Sequence, residues 1–412
     1  MNERPLRVSF LGAGEVNFGS TEVQVAWGHA RRLVQLYSPE EVEVVSIVDL
    51  DSNRAAKELQ RWKEKSPLFR NAQVYTDFAQ MADEKKPHVV IIGLPPFAHG
   101  FSKNGEKECA EAIAAKKGIH MLIEKPISVS TPEEIRSLVP LLSQPGLVVS
   151  VGYMFRYSKA VRRMRELLLR SRKAKALQGN VSEDALLHSS VKAVLLRYNS
   201  AYTGIRKAMW YDTRKSGGPI VEQCTHFVDL ARFIAGDIDL SSVNAYAISA
   251  TATNGQLEAL PKDVVSGKGV EEGLPDAYRI PRATTAIWRF SSGALGSLSH
   301  GALLQGDKYE CEMEVWGDGI RIILEDPYNL CKLRVRLKPL EKTKAAIREA
   351  DMEFTEDYSS DDFYATELAT FIQAIKAKDT TSITSPYEDA FKTYEATWAI
   401  RESSERNVGG RL

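Results

Sequence analysis

Glu222 and His226 stand four positions apart in the stretch Gly217-Gly218-Pro219-Ile220-Val221-Glu222-Gln223-Cys224-Thr225-His226. Pro219 suits the first turn of a helix and Gly236 suits its end, so residues 220–235 are expected to be helical. On that helix Ile220, Cys224, Phe227, Ala231 and Ile234 form an apolar stripe. Glu222, His226 and Asp229 fall on another, at i, i+4 and i+7. A carboxylate one turn before a histidine can orient the imidazole and raise its basicity, which is what a general base needs. The same spacing also describes an ion pair on a wet helix face. A metal site fits less well, because no other His or Cys lies at ligand spacing.

Lys125, in Glu124-Lys125-Pro126, directly follows an apolar run. A lysine at the carboxyl end of a parallel strand points into the crevice where open α/β sheets bind ligands, and the proline holds it extended. Its plain alternative is a solvated strand end. A third feature, Gly12-Ala13-Gly14-Glu15-Val16-Asn17-Phe18-Gly19, closes the first apolar run. A glycine pair there lets backbone approach a pyrophosphate, whose charge meets the N–H groups opening the next helix. Asn17 replaces the third glycine of G-x-G-x-x-G, which puts tight helix packing in question. Asp49 ends the second apolar run, where a carboxylate can accept both ribose hydroxyls of NAD and repel the 2′-phosphate of NADP. Its distance from Gly12 is much longer than the ~20 residues usual between glycines and acid. An extended first helix, or an insertion around 28–37, is expected. Asp49 could instead cap the next helix, a task open to Asp51 or Ser52 as well.

The elements that would carry these residues are legible as runs. Val8–Leu11, Val42–Val48, Val89–Ile92 and Ile119–Ile123 are runs with apolar residues on both faces, as parallel strands covered on both sides require. Helical spacing fills 53–64, 76–84 and 104–117 between them, and Leu147–Val151 is a further strand. This predicts a doubly wound α/β domain over 1–150. The pattern then changes. A basic helix over 158–172 leads into a polar stretch, 171–190, read as a loop. Strands follow at 191–198, 243–252, 284–290, 294–300, 310–315 and 320–324, separated by tight turns. They indicate an α+β domain with a mostly antiparallel open sheet over 151–412. Residues 254–281, rich in Gly and Pro, form a long loop. The acidic stretch 351–362 reads as solvated, and helices over 363–378 and 386–406 close the chain, with the option of packing back on the first domain.

Taken together, Gly12-x-Gly14, Asp49, Gly93-Leu94-Pro95-Pro96 with His99, Glu124-Lys125-Pro126, and Gly217-Gly218-Pro219 with Glu222 and His226 resemble the Gfo/Idh/MocA oxidoreductase family, in the right order along nearly the whole chain. The resemblance implies a Rossmann domain followed by an α+β domain whose open sheet often mediates oligomerisation, hence a homo-oligomer, dimer or tetramer. It implies Lys125, Glu222 and His226 as the catalytic trio. Around the dinucleotide it implies Gly12, Gly14, Glu15, Val16, Asp49, Leu94, Pro95, His99, Glu124 and Lys125. The family more often has Asp where Glu222 stands. Arg156 matches a frequent arginine after the domain junction, and Trp210 and Tyr211 match an aromatic pair before the glycine doublet. These three are expected at the substrate or cofactor wall. The activity implied is hydride transfer between NAD, with NADP as a second option, and a carbinol or carbonyl carbon of a sugar, cyclitol or related polyol. Two competing readings keep the fold: a reductase of imines, enones or specialised metabolites, and a dinucleotide-sensing regulator without catalysis.

Composition narrows the rest. The 412 residues exceed what one hydrophobic core usually serves, and 43% apolar with 26% charged residues is ordinary for a folded chain. Fifty-four basic residues balance 54 acidic ones, so no global field favours nucleic acid or an anionic membrane. The basic run 159–175 reads as the solvated face of an amphipathic helix, and no nucleic-acid partner is expected. No apolar run reaches spanning length, and Cys109, Cys224, Cys311 and Cys331 lie far apart as buried thiols would. A cytoplasmic protein without metal is the expectation.

Overall fold

A computed structural model of the chain describes residues 4–20, 27–100, 109–176, 182–337 and 353–407. The chain divides into two compact units, Met1–Met154 with Asp362–Phe391, and Phe155–Asp361 with Lys392–Leu412.

In the first unit β1 (Leu6–Leu11), β2 (Val42–Val48), β3 (Gln73–Tyr75), β4 (Val89–Ile92), β5 (His120–Ile123) and β6 (Val149–Val151) pair in the order β3-β2-β1-β4-β5-β6, all parallel. All four residues of β4 are buried, which is why that run carries no polar alternation. The order reverses beside β1, so the carboxyl ends of β1 and β4 flank the crevice where such sheets bind ligands. β3 is only three residues long and leaves no pattern to read. The helix Phe363–Ala377 brings Leu368, Phe371 and Ile372 into the same core as Val8, Phe10 and Ile47. Ser385 accepts a backbone bond from Val151 at 2.9 Å beside the edge of β6.

The long first crossover has a local cause. A four-residue helix, Glu15–Phe18, stops at Gly19, whose φ of 73° only glycine adopts readily, and helix resumes at His29–Leu36. The extra residues therefore lie upstream of the expected 28–37, which is itself mostly helix; 21–26 lie outside the described residues. The expected helix over 104–117 is Ala110–Lys116, and 101–108 likewise lie outside them.

The second unit holds β7 (Val191–Ala201), β8 (Asn244–Ile248), β9 (Ala283–Arg289), β10 (Leu295–Leu304), β11 (Glu310–Gly317), β12 (Ile320–Glu325), β13 (Lys332–Leu337) and β14 (Glu353–Asp357). They pair as β14-β13-β12-β11-β7-β10-β9-β8, antiparallel except for β7 beside β10. One face is buried: Thr284, Ala286 and Trp288 of β9 point inward, while Thr285, Ile287 and Arg289 are exposed. The acidic stretch is exposed or half-buried over 353–362, as a solvated segment should be, and it supplies the edge strand β14, whose charges suit an edge. Two expectations need correction. The polar stretch 171–190 is largely helix: Lys159–Ala176 continues into it, and Glu183–Ser190 starts at Ser182, whose side chain accepts from Ala185 N–H. The helix over 220–235 is broken into Pro219–Glu222 and Thr225–Ala235. Residues 254–281 contain no strand; buried Arg282 fastens them through Glu271, at 2.7 and 2.8 Å, and the Gly255 carbonyl, at 3.0 Å. No described helix is long and apolar enough to cross a membrane.

Candidate active site

The glycine turn leaves β1 at Gly12, whose φ is 90° and where a Cβ would lie 2.6 Å from the Gly93 carbonyl oxygen. A Cβ on Gly14 would meet nothing within 4 Å, so open space lies over the first turn, with Gly14, Glu15 and Val16 partly exposed around it. Asn17 fills the third glycine's place without loss of packing. Its Nδ2 donates to the carbonyls of Leu11 and Gly12 at 2.9 and 2.7 Å, closing the end of β1. Gly93 makes this possible, because a Cβ there would come within 2.7 Å of the Asn17 amide.

Asp51, not Asp49, caps the helix Ser52–Lys65, accepting from Asn53 and Arg54 N–H. Asp49 instead reaches back to the glycine turn and accepts from Ala13 N–H at 2.7 Å. It also accepts from Asp51 N–H at 2.9 Å, and from Arg54 Nε and Nη2 at 3.2 and 2.6 Å. Burial alone would raise the Asp49 carboxyl; the Arg54 pairing and these backbone bonds prevail and hold it below the ordinary carboxylate range.

Beyond β4, Leu94 is partly exposed and Pro95 exposed, while His99 is buried. The His99 ring contacts the Leu94 carbonyl through Nε2 at 3.1 Å and Glu111 through Nδ1 at 3.0 Å, so it fixes the Leu94–His99 loop from within. Glu124 and Lys125 stand at the end of β5, and the Lys125–Pro126 peptide is cis. Glu124 pairs with buried His29 at 2.7 Å. Burial pushes its carboxyl up, but the His29 bond and the Lys125 charge outweigh that and leave it below the usual range. Gly152 makes room for this pair, since a Cβ there would lie 2.9 Å from Glu124 Oε2.

In the second unit Gly217 and Gly218 both take positive φ, 80° and 86°, and turn the chain into Pro219. The break after Glu222 resets the helical stripe. Glu222 Oε2 accepts from the Trp210 indole at 2.9 Å. His226 opens the helix Thr225–Ala235 and stands edge-on to Phe155 and Tyr328, at ring distances of 5.8 and 6.1 Å. Asp229, expected on the same wet patch, is buried and receives Arg156 Nε and Nη2 at 2.7 and 2.5 Å and Thr393 Oγ1 at 2.9 Å. Arg156, an expected wall residue, is thus a buried fastener between the start of the unit and this helix. Tyr211 is also interior, its hydroxyl donating to the Tyr202 carbonyl at 2.8 Å. Among the three wall candidates, Trp210 touches a member of the trio, Glu222. Beside Glu222, Gln223 accepts at Oε1 from Ser200 Oγ at 2.7 Å and faces His300 Nε2 at 3.0 Å.

Residues 6–153 match the family model described as oxidoreductase family, NAD-binding Rossmann fold, and residues 156–320 match that of an oxidoreductase C-terminal domain. An uncharacterised protein of Schizosaccharomyces pombe is 32% identical over 408 residues, covering 97% of this chain and 91% of its own. The chain belongs to the Gfo/Idh/MocA oxidoreductase family. Its first unit is an NAD-binding Rossmann fold, and the protein is a nicotinamide-dependent dehydrogenase or reductase. D-glucoside 3-dehydrogenase of Escherichia coli is 24% identical over 253 residues, 61% of this chain and 60% of that enzyme. Levoglucosan dehydrogenase in complex with NADH has the same fold, with a TM-score of 0.68, 16% identity and 98% of each chain covered.

The open turn at Gly14 and the carboxylate held at Asp49 fit a dinucleotide. Sequence reasoning missed His29, Arg54, Gln223 and His300. Arg54 carried a usable signal, a cation one turn into the helix that follows Asp49. His29 carried none, since its partner is 95 residues away.

Proposed function

We propose that this oxidoreductase moves a hydride reversibly between a nicotinamide and a carbinol or carbonyl carbon of a sugar, cyclitol or related polyol. The relationship in sequence to a D-glucoside 3-dehydrogenase carries the substrate class, and the shared fold of levoglucosan dehydrogenase agrees with it. The bound dinucleotide supplies or accepts the hydride. The glycine turn and the first-turn N–H groups of Glu15 and Val16 would hold its pyrophosphate. Leu94 and Pro95 would line its site, on a loop that His99 stiffens. In oxidation His226 takes the proton of the reacting hydroxyl, while Lys125 donates a hydrogen bond to the same oxygen and offsets its developing charge. Glu222, steadied by Trp210, accepts from a neighbouring substrate hydroxyl, and Glu124 holds the backbone beside Lys125 through His29. In reduction the proton flow reverses.

The experiment is a panel of sugars, cyclitols and polyols set against imines and enones, with the near-ultraviolet band of reduced nicotinamide followed for each. Turnover on the polyhydroxy compounds is expected. Turnover confined to imines or enones would replace this reading with the reductase one.

A further inference from the structure

The strandless segment 254–281 grips the short helix Ala208–Tyr211 from both ends. At its start Lys207, in the N-cap position, has no side-chain acceptor for the first helical N–H groups. Asp263 Oδ1 takes that part from the segment and accepts from Ala208 N–H at 2.9 Å, while Val264 N–H donates to the Arg206 carbonyl at 3.0 Å. At its end Ile280 N–H donates to the Tyr211 carbonyl and Thr213 Oγ1 to the Tyr278 carbonyl, both at 3.2 Å. Between these ends Val270 and Ile280 share a buried cluster with Trp210 and Tyr211.

Asp263 is the knot of this grip. Its other oxygen, Oδ2, accepts from Val265 N–H at 3.2 Å, Ser266 N–H at 2.8 Å and Ser266 Oγ at 2.9 Å, so one side chain closes its own turn and holds the helix. These bonds, led by that of Ala208, hold the carboxyl down to about 2 and keep it an acceptor at neutral pH. The helix carries Trp210, whose buried indole donates to Glu222 Oε2 at 2.9 Å. A buried N–H is costly to leave unpaired, so the place of the indole fixes the place of the carboxylate.

We propose that segment 254–281 positions Glu222 for substrate, with Asp263 as the positioning residue, acting through the helix Ala208–Tyr211 and the Trp210 indole. This rests on the role given above to Glu222, acceptor of a substrate hydroxyl. The test uses Asp263→Ser in the full-length protein, which keeps a hydroxyl for the Val265 and Ser266 N–H groups but is too short to reach Ala208 as well. Near-ultraviolet circular dichroism reads the fixed indole without substrate. The band that Trp210→Phe removes is expected to fall by at least half in Asp263→Ser and to recover in part in Asp263→Asn, which keeps an oxygen for Ala208. On the sugar or cyclitol turned over fastest in the panel above, Asp263→Ser should raise KM at least fivefold with kcat within about twofold. In a Trp210→Phe background the same change should raise KM less than twofold. An unchanged Trp210 band, the full KM rise in the Trp210→Phe background, or a wild-type KM in Asp263→Ser where Glu222→Ala raises it would overturn the proposal. Loss of NADH binding in Asp263→Ser would overturn it too, by making Asp263 a residue of the fold rather than of position. A wild-type KM in Glu222→Ala would instead overturn the role of Glu222 itself.

Discussion

His300 lies wholly inside the second unit, its Nε2 facing the Gln223 amide oxygen, an acceptor, so the ring proton belongs on Nε2. Nδ1 then carries none, and among the described residues it has no partner. Burial holds this imidazole down to about 3, against an ordinary 6.5. The unfolded chain therefore binds a proton that the folded one refuses over that interval. Stability is full above about 6.5 and declines as pH falls toward 3, by up to about 1.4 kcal/mol per pH unit from this group. His300→Gln keeps an N–H donor toward Gln223 and removes the titration. Urea unfolding at several pH values between 7.5 and 5 should show a shallower loss in that variant than in the wild type; the same slope in both would deny His300 this role. Neighbours also set the surroundings of the candidate residues. Residue type and spacing brought out Asp49, Lys125, Glu222 and His226, but not that Arg54 covers Asp49 or that Trp210 holds Glu222. Arg156 reads in sequence as a residue of the substrate or cofactor wall, and only the fold brings Asp229 to it across 73 positions.

At the scale of elements, the junction of β1, β4 and the first helix depends on one exchange of volume. Gly93 has no side chain so that Asn17 can close the end of β1, and Asn17 in turn stands where a third glycine would. Gly93→Ala should cost about 1–3 kcal/mol, the usual range for overpacking. In an Asn17→Gly background the same change should cost less than half as much, because the opposing amide is gone. Chemical denaturation of the four proteins of this cycle measures the coupling; strict additivity would show that the two positions do not share the space. The same junction shows what could be read from sequence. β2 and β4 were legible to the residue because parallel strands buried on both faces carry apolar residues on both, without a break in β4 and with only Glu43 and Ser46 between them in β2. β3 is too short for a pattern, β14 carries the charges of an edge, and the split of the helix after Glu222 has no composition signal. The first crossover was recognisably long, but its extra residues lie before Gly28, where a second helix start is marked only by backbone conformation.

The chain's formal charge of +0 supplies no long-range steering, so the reading proposed above relies on local groups such as the Trp210–Glu222 pair. Single-turnover rates and NADH affinity of wild type, Lys125→Ala and His226→Ala, on a polyol the enzyme oxidises, show whether Lys125 and His226 act on one substrate oxygen. A fall of roughly 10²-fold or more in rate is expected for each variant, with NADH affinity within about twofold of wild type. Wild-type rates in both variants would exclude that pairing.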